Sequence, residues 1–237
     1  NANDFTIVLS GALYDMAGYE LAFRGIGAEY IGDPANNFNV FKGNITGNNS
    51  KINLNYISDV RRGLKNIGLI NQMRIEKQTD ACVISDITLS GNVVNTNGKS
   101  DAVSLENTYG ESLNGYTAAG LIGKMTSVSN IDGSAFVTAP YNYYFKNINT
   151  DGLTVKSMEA AGGIIGRLEI HNGTDYKVCY GFDDCTIKDT TCIASADVGG
   201  IIASFQNPYN VTFSDCDING LKLEGKGIYR FTYNNRD

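Results

Sequence analysis

Tryptophan is absent from this chain, proline occurs three times and histidine once, at His171. A single histidine cannot build a multi-histidine metal centre. The five cysteines (Cys82, Cys179, Cys185, Cys192 and Cys216) contain no Cys-x-x-Cys pair, so a Cys/His zinc site is not expected. Their spacing is also too irregular for a small disulfide framework, and buried thiols acting as small apolar side chains are the simplest expectation, with one disulfide as the alternative. No apolar run approaches the roughly 18–20 residues that a membrane-spanning helix needs. Basic residues cluster nowhere beyond Arg61-Arg62, and 25 acidic against 19 basic residues leave a net charge of −6, so nucleic acid is not an expected partner. The chain opens on Asn1 rather than Met, and we expect neighbouring domains in a longer chain.

What the sequence does contain is turn-forming and β-branched. Gly occurs 27 times, Asn is as frequent, and Ile and Val are plentiful, whereas long stretches of Ala, Glu and Lys are missing. Such a chain turns often and offers little to a long helix, which predicts an all-β fold.

Two short elements repeat. The first is a small residue, Gly and two aliphatics: Ile67-Gly68-Leu69-Ile70, Ala119-Gly120-Leu121-Ile122-Gly123, Ala161-Gly162-Gly163-Ile164-Ile165-Gly166 and Val198-Gly199-Gly200-Ile201-Ile202-Ala203, with a degenerate Gly225-Lys226-Gly227-Ile228-Tyr229. The second reads Phe145-Lys146-Asn147-Ile148, Phe182-Asp183-Asp184-Cys185 and Phe213-Ser214-Asp215-Cys216, with earlier variants expected at Ile84-Ser85-Asp86-Ile87 and Val128-Ser129-Asn130-Ile131. Between them lie short alternating strands such as Leu153-Thr154-Val155 and Leu221-Lys222-Leu223.

Strands this short cannot bury an apolar face alone, so the units must stack. In the second element two apolar side chains stand three residues apart, which simple alternation forbids. A corner at the intervening Asn or Asp, with both flanking side chains turned inward, resolves the conflict. The predicted fold is a right-handed parallel β-helix with three short strands per coil and about five or six coils. Residues 1–60 are expected to form an N-terminal lead-in and cap, and 61–237 the coils, with a polar insertion at about 92–117. The whole is expected to be one continuous domain.

These residues resemble the GLUG-motif β-helices of large bacterial, often Gram-positive, surface proteins, including regions beside some IgA-type peptidase domains. The family's Gly-Leu-aliphatic-Gly strand looks like Ala119 to Gly123, Ala161 to Gly166 and Val198 to Ala203, and Asp184-Cys185 and Asp215-Cys216 stand for its Asn-Cys step. The family's opening resembles Leu9-Ser10-Gly11 followed by Phe41-Lys42-Gly43-Asn44-Ile45-Thr46-Gly47-Asn48-Asn49. The chain departs from the pattern at Asn49, Asn71 and Ala203, where the family has Gly. The resemblance implies export to the bacterial cell surface and a role in adhesion or spacing.

Parallel β-helices also carry polysaccharide lyases and hydrolases. Asp183, Asp184, Asp215 and Asp217 offer carboxylates at equivalent places, but Asx residues at corners bond their own backbone, and that is the expected role. Lys188 and Arg230, the basic residues near them, have no recognisable catalytic context. Asp184 and Asp215, stacked one above the other, are the one pair for which a bound Ca²⁺ is considered, as a weak alternative to no metal. His171 is expected to be a solvated loop imidazole.

The better binding candidates lie in the segments between each aliphatic motif and the next Phe strand. They carry Tyr141, Tyr143 and Tyr144, then Tyr176 and Tyr180, then Asn207 and Tyr209. Equivalent segments of successive coils must be neighbours, so these residues are expected to form a strip for stacking and hydrogen-bonding a host or cell-wall glycan or a surface protein. A non-catalytic, adhesin-like module is the expected function. A structural stalk comes next, and a polysaccharide-active enzyme third.

Overall fold

The computed structural model describes residues 5–19, 25–27, 41–58, 64–77, 81–95, 116–132, 142–169, 178–206 and 210–225. Among these residues there is no helix, and every strand pairing is parallel. The strands form one 12-stranded sheet and two 4-stranded sheets, and the longest path through the large sheet crosses six levels. The chain is thus all-β, with parallel strands stacked coil on coil as a parallel β-helix requires.

The repeats fall into columns. Ile7, Ile45, Ile84, Phe145, Phe182 and Phe213 occupy one position at six successive levels. The three Phe rings stack, with centroids 4.8 and 5.2 Å apart. Val93, Val155, Cys192 and Leu223 form a second column. Ile70, Ile122, Ile165 and Ile202 form a third, on the aliphatic sheet. The inward members of these columns make one continuous core. Burial falls at the last described levels: Phe205, in the last described strand of the aliphatic sheet, and Phe213, Ile218 and Leu223, in the last described coil, are 45–55% exposed.

Cys82–Asn95, Thr117–Ala119 and Ile122–Asp132 form one coil of three strands, as expected, and Tyr143–Lys156, Ala160–Gly162 and Ile165–Glu169 form the next. In the coil after these the long first strand is divided into three, giving Cys179–Asp183, Thr186–Lys188, Thr191–Ala194, Asp197–Gly199 and Ile202–Gln206. The two divisions mark the expected Asx corner and a second corner that the sequence reading overlooked. Asn48, Asn49, Asp86, Asn147, Asp184 and Asp215 all adopt positive φ, marking the expected Asx corner. Gly91, Gly152, Asp189 and Gly220 do so too, marking another a few residues later. In this left-handed region Asn, Asp and Gly are the residues tolerated most readily. The apolar residues flanking the Asx corner turn inward as expected: Phe145 with Ile148 and Phe182 with Cys185 are buried.

One expected corner is not a corner. Val128-Ser129-Asn130-Ile131 lies inside the strand Ile122–Asp132, which pairs with Ile70–Lys77 in the aliphatic sheet. At the N-terminus, Thr6–Val8 and Leu13–Asp15 pair with Asn44–Asn53, so the segment expected as a cap contributes strands to the large sheet. Of the expected insertion, residues 92–95 end the strand Cys82–Asn95 and Thr117 begins Thr117–Ala119, while 96–115 lie outside the described residues.

The aliphatic motif owes its glycines to the corner between the small-residue sheet and the aliphatic sheet. A Cβ on Gly120 would sit 2.5 Å from the carbonyl oxygen of Gly163, one on Gly163 would strike the carbonyl of Gly200, and one on Gly162 would strike that of Ile165. Room for a side chain is missing because backbone hydrogen bonds continue round the corner. Gly120 N donates to Gly163 O at 3.0 Å, Gly163 N to Gly199 O at 3.0 Å, and Ile165 N to Ile201 O at 2.8 Å.

Gly163→Ala is therefore expected to lower unfolding free energy by about 3 kcal/mol, at the upper end of overpacking costs. Gly225→Ala, where nothing lies within 4 Å of the added Cβ, should be neutral or stabilising by up to about 1 kcal/mol. Urea denaturation of the two variants checks the contrast.

Candidate functional site

The Asx corner carries most of the polar side-chain geometry on the surface of the large sheet. Its residues stand at successive levels because the strands before and after them are in register. Asn147 Nδ2 donates to Asp86 Oδ1 at 2.9 Å and to Asn49 Oδ1 at 3.3 Å, while its own Oδ1 accepts from Asn149 Nδ2 at 2.7 Å. Asn149 Oδ1 in turn accepts from the backbone N–H of Thr186 at 3.0 Å, one coil on. Side-chain amides thus bridge coils where the ladder of the backbone bends.

The hydrogen bond from Asn147, then the one from Ser85 Oγ at 2.7 Å and the charge of Lys146, hold the Asp86 carboxyl below the usual carboxylate range. Asp183 Oδ2 accepts from the Tyr144 hydroxyl at 2.6 Å and lies 4.0 Å from Lys146 Nζ. Asp217 Oδ1 accepts from the N–H of Ile218 at 2.9 Å, and Asp215 Oδ2 from Ser214 Oγ at 3.4 Å. Each of these carboxylates has a local structural partner. Lys188 Nζ is 3.1 Å from Asp151 Oδ1 in an exposed pair, and Arg230 lies outside the described residues.

Asp184 and Asp215, the pair weighed for Ca²⁺, occupy the last two described levels of this corner, and both are exposed with positive φ. Two carboxylates fall well short of the roughly six to eight oxygens that Ca²⁺ takes. Among the described residues no group of three or more His, Cys, Asp or Glu is placed to hold a metal ion.

The tyrosines separate into different environments. Tyr143 and Tyr180 are buried, pair in register and stack with centroids 5.7 Å apart. Burial also raises the Tyr180 hydroxyl well above its usual pKa. These two rings belong to the core, which corrects their expected place in a surface strip. Strand alternation explains it: both stand two residues before an inward Phe, so they share its face.

Tyr144 points the other way and is half-buried. Its register partner is Gly181, and its hydroxyl reaches Asp183 on the same side of the adjacent strand. Tyr141, Tyr176, Asn207, Tyr209 and His171 lie outside the described residues. The ends of the segments that carry them are described, however. Residues 133–141, 170–177 and 207–209 each leave a strand of the aliphatic sheet and return to the first strand of the next coil in the large sheet. The register of those strands aligns Glu169 with Gln206 where two of them end, and Tyr143, Tyr180 and Val211 where the following strands begin.

A second polar cluster lies on the aliphatic sheet and carried no signal in the sequence repeat. Arg167 Nη2 is 2.8 Å from Glu159 Oε1, and Lys124 Nζ is 2.9 Å from Glu169 Oε2, with all four side chains at most 27% exposed. Lys124 and Arg167 share a column; the Lys124–Glu169 pair joins neighbouring coils, whereas Arg167–Glu159 lies within one coil. Comparison with protein-family models, with curated proteins and with solved structures finds no match to this chain.

Replacing Asn147 separates its two contributions. Asn147→Val forces a β-branched residue into positive φ and removes the bridging amide, and should cost about 2 kcal/mol. Asn147→Gly keeps the corner but loses the bridge, and should cost less. Because the folded Asp86 carboxyl is depressed, its contribution is present above the ordinary carboxylate pKa and disappears as pH falls through the folded value. In Asn147→Gly, an NMR titration of Asp86 should move upward toward the ordinary value.

Proposed function

We propose that this chain is a non-catalytic interaction module of an exported bacterial surface protein, built as a right-handed parallel β-helix of the GLUG-motif kind. The right hand follows the strong preference of parallel crossover connections. The aliphatic and Asx-Cys motifs support the family reading. Cell-surface localisation and a larger parent chain come with that reading.

One observation supports the binding role: the strands that flank residues 170–177 and 207–209 end in register, at Glu169 and Gln206, and the next ones begin in register, at Tyr180 and Val211. Repeat proteins concentrate variable segments on one face, and that face is often where they bind. In this reading Tyr141, Tyr176, Asn207 and Tyr209, which the sequence puts in the segments between the strands, act together with the outward-facing Tyr144. Aromatic rings with polar ends suit a host or cell-wall glycan, or a surface protein, by stacking and hydrogen bonding together.

A structural stalk is the second reading. The burial of Tyr143 and Tyr180 favours it, since part of the tyrosine content serves the wall of the stack. A polysaccharide-active enzyme has less support, because Asp183, Asp215 and Asp217 are each engaged with a neighbouring group. No cofactor is proposed.

Binding of the labelled protein to an array of host and bacterial glycans tests the proposal. Saturable binding that falls at least about tenfold in Tyr144→Ala, Tyr176→Ala or Tyr209→Ala, with the fold intact by circular dichroism, is the expected result; each such loss corresponds to about 1.4 kcal/mol. Absence of binding to glycans and to surface proteins alike would leave the stalk.

A further inference from the structure

All five cysteines are described and free, but only two share a column. Cys185 and Cys216 stand at the same position in consecutive coils, between the register pairs Asp183–Ser214 and Thr186–Asp217. The backbone is hydrogen-bonded on both sides of them: Asp184 N donates to Ser214 O at 3.0 Å, and Asp217 N to Cys185 O at 2.9 Å. Their thiols repeat one pattern. Cys185 Sγ donates to Asp183 O at 3.5 Å and to Phe145 O of the preceding coil at 3.7 Å. Cys216 Sγ donates to Ser214 O at 3.4 Å and to Phe182 O at 3.6 Å. Stacked strands of this kind bring equivalent Cα atoms to about 4.8 Å, inside the roughly 4.4–6.8 Å that a disulfide spans. The other three cysteines stack on Tyr143, Asn210 and Leu223 instead.

We propose that Cys185 and Cys216 are an inter-coil disulfide site that closes under oxidising conditions and pins the last described coil to the one before it. The location gives the bond a purpose. Among the described residues that coil is stacked on one side, and its inward residues Phe213, Ile218 and Leu223 are 49%, 55% and 45% exposed. A coil with so little cover opens more readily than the interior of the stack. Two in-register side chains point the same way, so closing the bond requires a small shift of the corner and leaves it readily reducible.

The chemistry needs an external small-molecule disulfide. The Cys216 sulfur, which is part-exposed, attacks one sulfur of that disulfide as the thiolate and releases the first small thiol. The Cys185 sulfur, having lost its proton, then attacks the Cys216 sulfur of the mixed disulfide and releases the second. Two protein thiols are oxidised, one small disulfide is reduced to two thiols, and the two protons leave with them. Burial pushes the Cys185 thiol up to about 12, so the second step should accelerate as pH rises.

The test uses glutathione disulfide on the folded chain under mildly alkaline conditions, followed by acid quench, unfolding and alkylation. The expected result is loss of two alkylatable thiols with no glutathione retained, a linked peptide pair containing Cys185 and Cys216, and a rise in melting temperature that dithiothreitol reverses. Cys216→Ser should abolish the linkage and the rise, while Cys192→Ser should behave like the parent chain. Five alkylatable thiols after treatment, a glutathione adduct that persists on Cys216, or a link between other cysteines would overturn the proposal.

Discussion

Backbone hydrogen bonding between successive coils is the interaction on which the rest of this structure depends. In an ordinary sheet the ladder stops where a strand turns. Here it continues through the turns, with Leu121 and Ile122 donating to Ile164, and Ile164 and Ile165 donating to Ile201. Coils must then approach as closely at corners as along strands, which leaves room only for residues that spare the space or accept the backbone angles. Glycine meets the first requirement at Gly120 and Gly163. Asn, Asp and Gly meet the second at Asn147, Asp184, Gly152 and Gly220. The high Gly and Asn content is the compositional trace of that constraint.

Once the ladder is fixed, side chains have no freedom of register, and columns of like residues follow. Stacked Phe rings, a column of Ile and a column of small residues each place similar shapes at similar positions, so the core fills by repetition. Polar side chains obey the same geometry. The amide of Asn147 bridges Asp86 and Asn49, and Lys124 and Arg167 carry their ion pairs in neighbouring coils. Part-buried pairs of this type add little net stability; of the two, only Lys124–Glu169 ties one coil to the next.

Much of this was legible in the sequence. The aliphatic motif and the Phe-x-Asx-apolar step identified stacking, the all-β class and the Asx corner, because those features depend on residues with few substitutes. The second corner was missed, since its marks are a single Gly or Asp at Gly152, Asp189 and Gly220 without an aromatic partner. Val128-Ser129-Asn130-Ile131 misled because an apolar-polar-Asn-apolar step also occurs in the aliphatic sheet, where the register of Ile122–Asp132 with Ile70–Lys77 shifts. Tyrosine was the weakest guide. Its amphipathic ring serves a core column or a surface equally well, and only strand phase places Tyr143 and Tyr180 inside and Tyr144 outside.

Amide hydrogen exchange, resolved by residue, tests the claim that the ladder runs unbroken through the corners. The account predicts that the amides of Gly120, Gly163, Ile164 and Ile165 exchange as slowly as those in the middle of the adjoining strands, and that protection falls in the last described coil. Rapid exchange at these corner amides beside slow exchange in the strands would contradict it, because the coils would then be held by separate sheets joined through ordinary loops.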